Sequence, residues 1–196
     1  MFRLRGRFSS RNLDAFAKES GIPELTRTTR DEPDYDKLMK WRLGILKEHG
    51  LGINEIKATI SKIDPMPGAK EFLDKLRHES QTIILRDTFE QFAAPLMEKL
   101  GMPTIFCNTL EVADNGEITG FKMRCEKSKL TTVKALQSIG YETIAFGDSF
   151  NDLGMIQASK AGFLFRSTEQ IKKDYPDIPA FEEYDDLYAA IMKALK

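Results

Sequence analysis

From Gly68 onward the chain alternates stretches of helical spacing with short runs that are apolar at successive positions, and this alternation restricts the fold more than any other feature. "GAKEFLDKLRHES" is expected to form a helix, "QTIILRD" a strand, "EQFAAPLMEKLG" a helix and "TIFCNTLEV" a strand. Helix "KSKLTTVKALQSIG", strand "ETIAFGD", a short helix from Asn151, strand "AGFLF" and a terminal helix from about Tyr184 complete the series. A strand without polar alternation is buried on both faces, and parallel strands require helical crossovers. The pattern therefore predicts an α/β architecture, a mostly parallel sheet covered by helices on both sides. "LEVADNGEITGFKMR" departs from it as a hairpin, with Asn115 and Gly116 at the turn.

Upstream the spacing differs. "MFRLRGRFSS" places Arg3, Arg5 and Arg7 in alternation with Leu4 and Gly6, the period of a short strand. "NLDAFAKES" closes at Gly21, "DYDKLMKWRLGILKEHG" closes at Gly50, and "GINEIKATISKI" follows, all amphipathic helical patterns with glycine where a helix ends. The expected division is a core of residues 1–11 and 65–196 and a helical cap of residues 12–64, inserted after the first strand.

The charge balance, 29 basic against 30 acidic residues for a net −1, gives no field that would attract nucleic acid or an anionic membrane. Two cysteines, Cys107 and Cys125, are too few for a disulfide framework and read as free thiols of a cytoplasmic protein. No stretch has the length of a membrane span, and the basic start lacks the apolar segment of a signal peptide. His49 lies at a helix end and His78 on a charged helix face, neither with a metal partner nearby in sequence.

In open parallel sheets, ligands bind beyond the carboxyl ends of the strands. There "IILRD" brings Arg86, Asp87 and Thr88, and "TIAFGDSFND" brings Asp148, Asn151 and Asp152. Two carboxylates flanking a strand-to-helix turn suit a Mg²⁺ ion beside a phosphate, with Asp148 as ligand and Asp152 behind it. The same residues also suit a plain helix N-cap, and the turn by itself does not separate the two readings.

"AFGDSFNDLGMI" resembles motif four of the haloacid dehalogenase-type phosphatases, and "PGAKEFLDKL…TIILRDTF" resembles the approach to their motif two. "TTRDEPDYDKLMKWRLGILKEHGL" is similar to the cap of the phosphoserine phosphatase / phosphoserine:homoserine phosphotransferase branch. The resemblance runs from about Ala15 to the C-terminus. It implies a haloacid dehalogenase-like Rossmannoid core and a Mg²⁺-dependent enzyme of serine and threonine biosynthesis. Such an enzyme moves phosphate from phosphoserine to an aspartate and then to water or homoserine. By the same resemblance Asp148 and Asp152 would serve the metal, and Asn151 the phosphate pocket. Lys129 would neutralise the phosphoryl group and the nucleophile, and Arg42 would hold the substrate carboxylate as a bidentate pair. The bland alternatives are an exposed lysine at a helix start and a solvated arginine on a helix face. The hairpin around Asn115-Gly116 is an expected homodimer contact in this subfamily. Water and homoserine both stay open as acceptors.

Two motifs depart from the family. Motif two supplies a hydroxyl where this chain has Arg86. Motif one, D-x-E-G-V followed by P-E-I-W, aligns with Arg3 at the nucleophile, Arg5 at the acid/base and Arg11 at the cap glutamate. Arginine neither attacks phosphorus nor transfers a proton near neutral pH, so the chain as written is expected to be impaired. Three accounts compete. Arg3, Arg5 and Arg86 could form an anion-binding pseudoenzyme, against the cost of burying several guanidiniums on a central strand. The stretch could be a basic arm for nucleic acid, which would remove the first strand from the fold. Or it is a shifted reading frame: with CGN arginines and TCN serines, "MFRLRGRFSSRNL" read one base later permits C-F-D-F-E-G-V-F-L-P-E-I-W. One lost base near Leu13 and Asp14 restores the frame before "AFAKESG". The shift also accounts for a first strand with only Met1 and Phe2 ahead of Arg3, where the family has several apolar residues. It does not explain Arg86.

Overall fold

The computed structural model describes residues 21–27, 31–32 and 34–196. The expected first strand with Arg3 and Arg5, Arg11, and the helix expected at 12–20 lie outside the described residues.

In the region expected to form the cap, the first element among the described residues is a 3-10 turn at Pro23–Thr26. Helix α1, Tyr35–Glu48, starts where the Asp34 carboxylate accepts the Lys37 N–H at 3.2 Å. It stops at Gly50, whose φ of +63° lets the Leu51 N–H turn back onto the Leu46 carbonyl at 2.8 Å. Helix α2, Ile53–Ile60, follows. Their apolar faces, Met39, Leu46, Ile53, Ile56 and Ile60, form a single buried cluster. That cluster does not close on the cap helices alone, since Phe89, Phe92, Leu110 and Ile118 complete it from the other side.

The remainder follows the predicted alternation. Helix α3 is Ala69–Glu79, strand β1 Ile83–Phe89, helix α4 Glu90–Lys99, and strands β2 and β3 Thr104–Val112 and Ile118–Lys122. Helix α5 is Ser128–Ser138, strand β4 Ile144–Gly147, helix α6 Phe150–Ala158 and strand β5 Ala161–Phe165. Helix α7, Glu169–Asp174, strand β6, Ala180–Phe181, and helix α8, Tyr184–Leu195, end the chain. Sequence periodicity missed α7, β6 and the 3-10 turn, each too short to show a period. Among the described residues β1 pairs parallel with β2, β4 with β5 and β5 with β6, while β2 and β3 form the predicted antiparallel hairpin.

Burial on both faces explains why β1, β4 and β5 lack polar alternation. On one face Leu85, Ala145 and Leu164 pack with Val133 of α5, Met155 and Ile156 of α6, and Ile171 of α7. On the other, Phe146, Phe163 and Phe165 meet Phe72 and Leu76 of α3 and Leu187 and Ile191 of α8. Ile84 faces Leu73 of α3 and Leu96 and Met97 of α4.

Two irregularities shape the end of the sheet where a ligand would bind. The β1–β2 register runs Leu85 to Phe106 and resumes at Phe89 to Asn108, so Arg86, Asp87 and Thr88 stand opposite Cys107 alone. Such a bulge re-aims side chains at the end of a strand. Beyond it, the Gln91 side chain acts as a piece of strand, accepting the Leu110 N–H and donating to the Leu110 carbonyl, both at 3.0 Å. The hairpin tip then docks on the cap helices. The Ile53 N–H donates to the Gly116 carbonyl at 2.9 Å, and Lys47 pairs with Glu117 at 2.9 Å. A Cβ on Gly52 would lie 2.5 Å from that same carbonyl, so the contact requires glycine.

Candidate functional site

The turn after β4 is organised by Asp152, whose side chain is fully buried. Its Oδ2 accepts the Ser149 N–H at 3.0 Å, the Ser149 hydroxyl at 2.8 Å and the Asp148 N–H at 3.2 Å. Its Oδ1 lies 3.1 Å from Lys129 Nζ. Gly147 is tied to this arrangement, because a Cβ there would meet Asp152 Cβ and Cγ at 2.5 Å. The N-cap reading of the turn therefore holds for Asp152: it satisfies amides at the start of α6. Its Oδ2 is thus committed to the turn and its Oδ1 faces the Lys129 ammonium. Asp148, half-buried at the end of β4, has its carbonyl held by the Ser167 hydroxyl at 3.1 Å.

Lys129 is not the exposed lysine of the bland alternative. Only 4% of its side chain reaches solvent, and its ammonium sits between Asp152 and Asp87, the latter at 2.8 Å. Burial of an ammonium is tolerable only with such compensation. The Ser128 hydroxyl donates to the other Asp87 oxygen at 2.9 Å. Lys129, Asp87, Ser128, Lys127, Leu130, Asn151 and Gly154 line a pocket of about 260 Å³, so Asn151 and Lys129 share one cavity.

The first turn of α5 is braced from the hairpin. Arg124 donates to the Ser128 carbonyl at 3.0 Å and to the Thr132 hydroxyl at 2.7 Å, while its own N–H donates to Asn108 Oδ1 at 3.0 Å. Its guanidinium lies 5.3 Å over the Phe106 ring. Sequence reasoning assigned no role to Asp87, Ser128 or Arg124; for Asp87 the signal was present, an acid at a strand's carboxyl end. Cys107, facing the bulge, has its thiol pushed up to about 11 by burial, with the Glu90 charge adding to it. It is therefore a protonated packing group at neutral pH.

The other predicted residues are accounted for as follows. Arg42 on α1 is 7% exposed, and donates to the Arg27 carbonyl. The solvated-face alternative for Arg42 is thus incorrect, because the helix turns this face inward. Arg27 in turn lies 5.3 Å over the Trp41 ring. Arg86 is 5% exposed within the bulge. Arg42 and Arg86 are not among the described residues lining the pocket. Asn115 and Gly116, expected at a homodimer contact, face the cap of their own chain. Among the described residues no group of three or more acidic, histidine or cysteine side chains gathers to hold a metal, and no helix is long and apolar enough to cross a membrane.

A family model described as haloacid dehalogenase-like hydrolase matches residues 12–160. The chain is 45% identical over 180 residues to phosphoserine phosphatase ThrH of Pseudomonas aeruginosa, covering 92% of this chain and 88% of that protein. It is 43% identical to a phosphoserine phosphatase of Pseudomonas syringae pv. tomato, covering 92% of this chain and 76% of the relative. A solved structure described as a phospho-aspartyl intermediate analogue of phosphoserine phosphatase superposes with a TM-score of 0.68 at 26% identity, covering 94% of this chain and 91% of that one.

Proposed function

The chain belongs to the haloacid dehalogenase-like hydrolases, and from that premise we propose that it derives from a phosphoserine phosphatase / phosphoserine:homoserine phosphotransferase working through an aspartyl-phosphate. The observation that carries the reading is the Lys129 ammonium, buried between Asp152 and Asp87 and lining a small pocket. A cation kept at such a cost beside the strand ends suits neutralisation of a phosphoryl group. In this reading Asn151 contacts the phosphate, and Asp152 fixes Lys129 and the β4 turn. Arg42 holds the substrate carboxylate from a cap of residues 12–64, set on a core of residues 1–11 and 65–196.

Mg²⁺ is the metal that lineage implies, and it would supply charge neutralisation at the phosphate. It takes one or two carboxylates and keeps several waters, so Asp148 is a suitable ligand. Asp152 serves behind it, with its oxygens engaged by Lys129 and the 148–149 amides. The described residues thus fit the ion only in part.

The chain as written carries Arg3 at the nucleophile and Arg5 at the acid/base. We therefore expect little or no release of phosphate from phosphoserine with Mg²⁺. The combined change Arg3→Asp, Arg5→Glu, Arg11→Glu and Arg86→Ser is expected to restore it. Robust turnover by the unchanged chain would overturn the assignment of Arg3, and an intact gene coding natively for RLRGR would overturn the frame-shift account. A second reading, a non-catalytic anion-binding protein using Arg3, Arg5 and Arg86, is favoured by the burial of Arg86 at the end of β1. Phosphoserine binding that depends on Arg86 but never proceeds to phosphate release would select it.

A further inference from the structure

The two carboxylates that flank Lys129 are unlike. Asp152 is fully buried, and its second oxygen is fixed by two backbone amides and a hydroxyl. Asp87 sits closer to the ammonium, at 2.8 Å, yet 43% of its side chain is open to solvent. It stands in the bulge of β1, outside the regular ladder, and lines the same pocket as Asn151. A group that is exposed and released from strand pairing can turn away at small cost, whereas a group bonded at both oxygens in the interior cannot.

We propose that Asp87 is a resident anion, a carboxylate that neutralises Lys129 in the empty pocket and is displaced when a phosphate arrives. This rests on the reading of the pocket as the phosphate site. An ammonium needs compensation whether or not a ligand is present, and among the described residues the carboxylate on its pocket side is Asp87. A tetrahedral oxyanion provides the same hydrogen-bond acceptor as Asp87 Oδ2. The Ser128 hydroxyl contributes to how firmly Asp87 keeps its place, because it holds the oxygen turned away from Lys129. Asp87 competes with the ligand, so this chain binds phosphate more weakly than its lysine would allow.

The test is calorimetric titration of the full chain with inorganic phosphate in metal-free buffer, with thermal unfolding as a check on each variant. Asp87→Asn is expected to tighten binding about ten-fold, the scale of one charge removed at contact distance in a partly hydrated site. Ser128→Ala, which loosens Asp87 without changing charge, is expected to act in the same direction by about two- to three-fold, the scale of one hydrogen bond. Asp87→Glu, which keeps the competing charge, is expected to stay near the unchanged chain. A purely structural Asp87 predicts weaker or equal binding in Asp87→Asn, and either result overturns the proposal. Lys129→Met separates the two levels of inference. If it abolishes binding while Asp87→Asn fails to tighten it, only the resident-anion idea falls. If phosphate binds equally well without Lys129, the phosphate-site reading falls with it.

Discussion

The turn after β4 packs Gly147 so closely on Asp152 that a Cβ would lie 2.5 Å away, and it buries Asp152 completely. The carboxyl end of β1 slips Arg86, Asp87 and Thr88 out of register and leaves Asp87 43% exposed. Both regions present a carboxylate to the same lysine. One does so from a position fixed by close packing and shared hydrogen bonds, the other from a loosened backbone at the pocket rim. The difference separates a fixed support from a side that can yield, and Arg86 belongs to the yielding side.

The largest effect expected from breaking this contrast is that of Asp152→Ala. Removing the buried partner of a buried ammonium costs about 3–5 kcal/mol, and the loss should appear directly in urea unfolding. A result close to zero would mean that the β4 turn is not the rigid side. Gly147→Ala should follow at about 1–3 kcal/mol, the usual range for forcing one extra carbon into a packed interior, measured the same way. Asp87→Ala should cost about 1 kcal/mol or less, since a half-exposed ion pair is screened by solvent. If it matched Asp152→Ala, the two ends would be equally fixed.

The smallest effect concerns the hairpin tip, remote from both strand ends. The hydrogen bond and charge of Lys47 hold the Glu117 carboxyl below its ordinary range. A carboxyl depressed in the folded state adds stability above its unfolded value and loses it as pH falls through the folded one. Acidification below the ordinary glutamate range should therefore lower the protection of the Ile53 amide, which donates to Gly116, when exchange is referred to the intrinsic rate at each pH. Exchange at Ser149, held by buried Asp152, should change less over the same step.

Much of the rigid side was legible in the sequence. Phe146 and Gly147 continue the apolar run of β4, and Asp148, Asn151 and Asp152 follow in one turn, so strand, turn and candidate site share a single local pattern. The ambiguity between ligand and N-cap was real, because Asp152 performs the capping function while also facing Lys129. The yielding side was less legible. Ser128 reaches Asp87 across 41 residues and Gln91 clamps Leu110 across 19, contacts that no local periodicity encodes. The register slip of β1 depends on its partner strand and has no signature in "IILRDTF". The cap posed a similar problem: its helices were visible from spacing, but not that Leu110 and Ile118 of the hairpin complete their core.

Gly116, gripped by Ile53 and pressed against Gly52, makes the hairpin a lever. Its long arm is clasped by α1 and α2, its fulcrum is the Gln91 clamp on Leu110, and its short arm ends at Asn108, paired with Phe89 just past the slipped residues. Asn108 also carries the Arg124 N–H that steadies the helix of Lys129. The helical layer and both partners of the Lys129–Asp87 contact are thus tied to one strand pair.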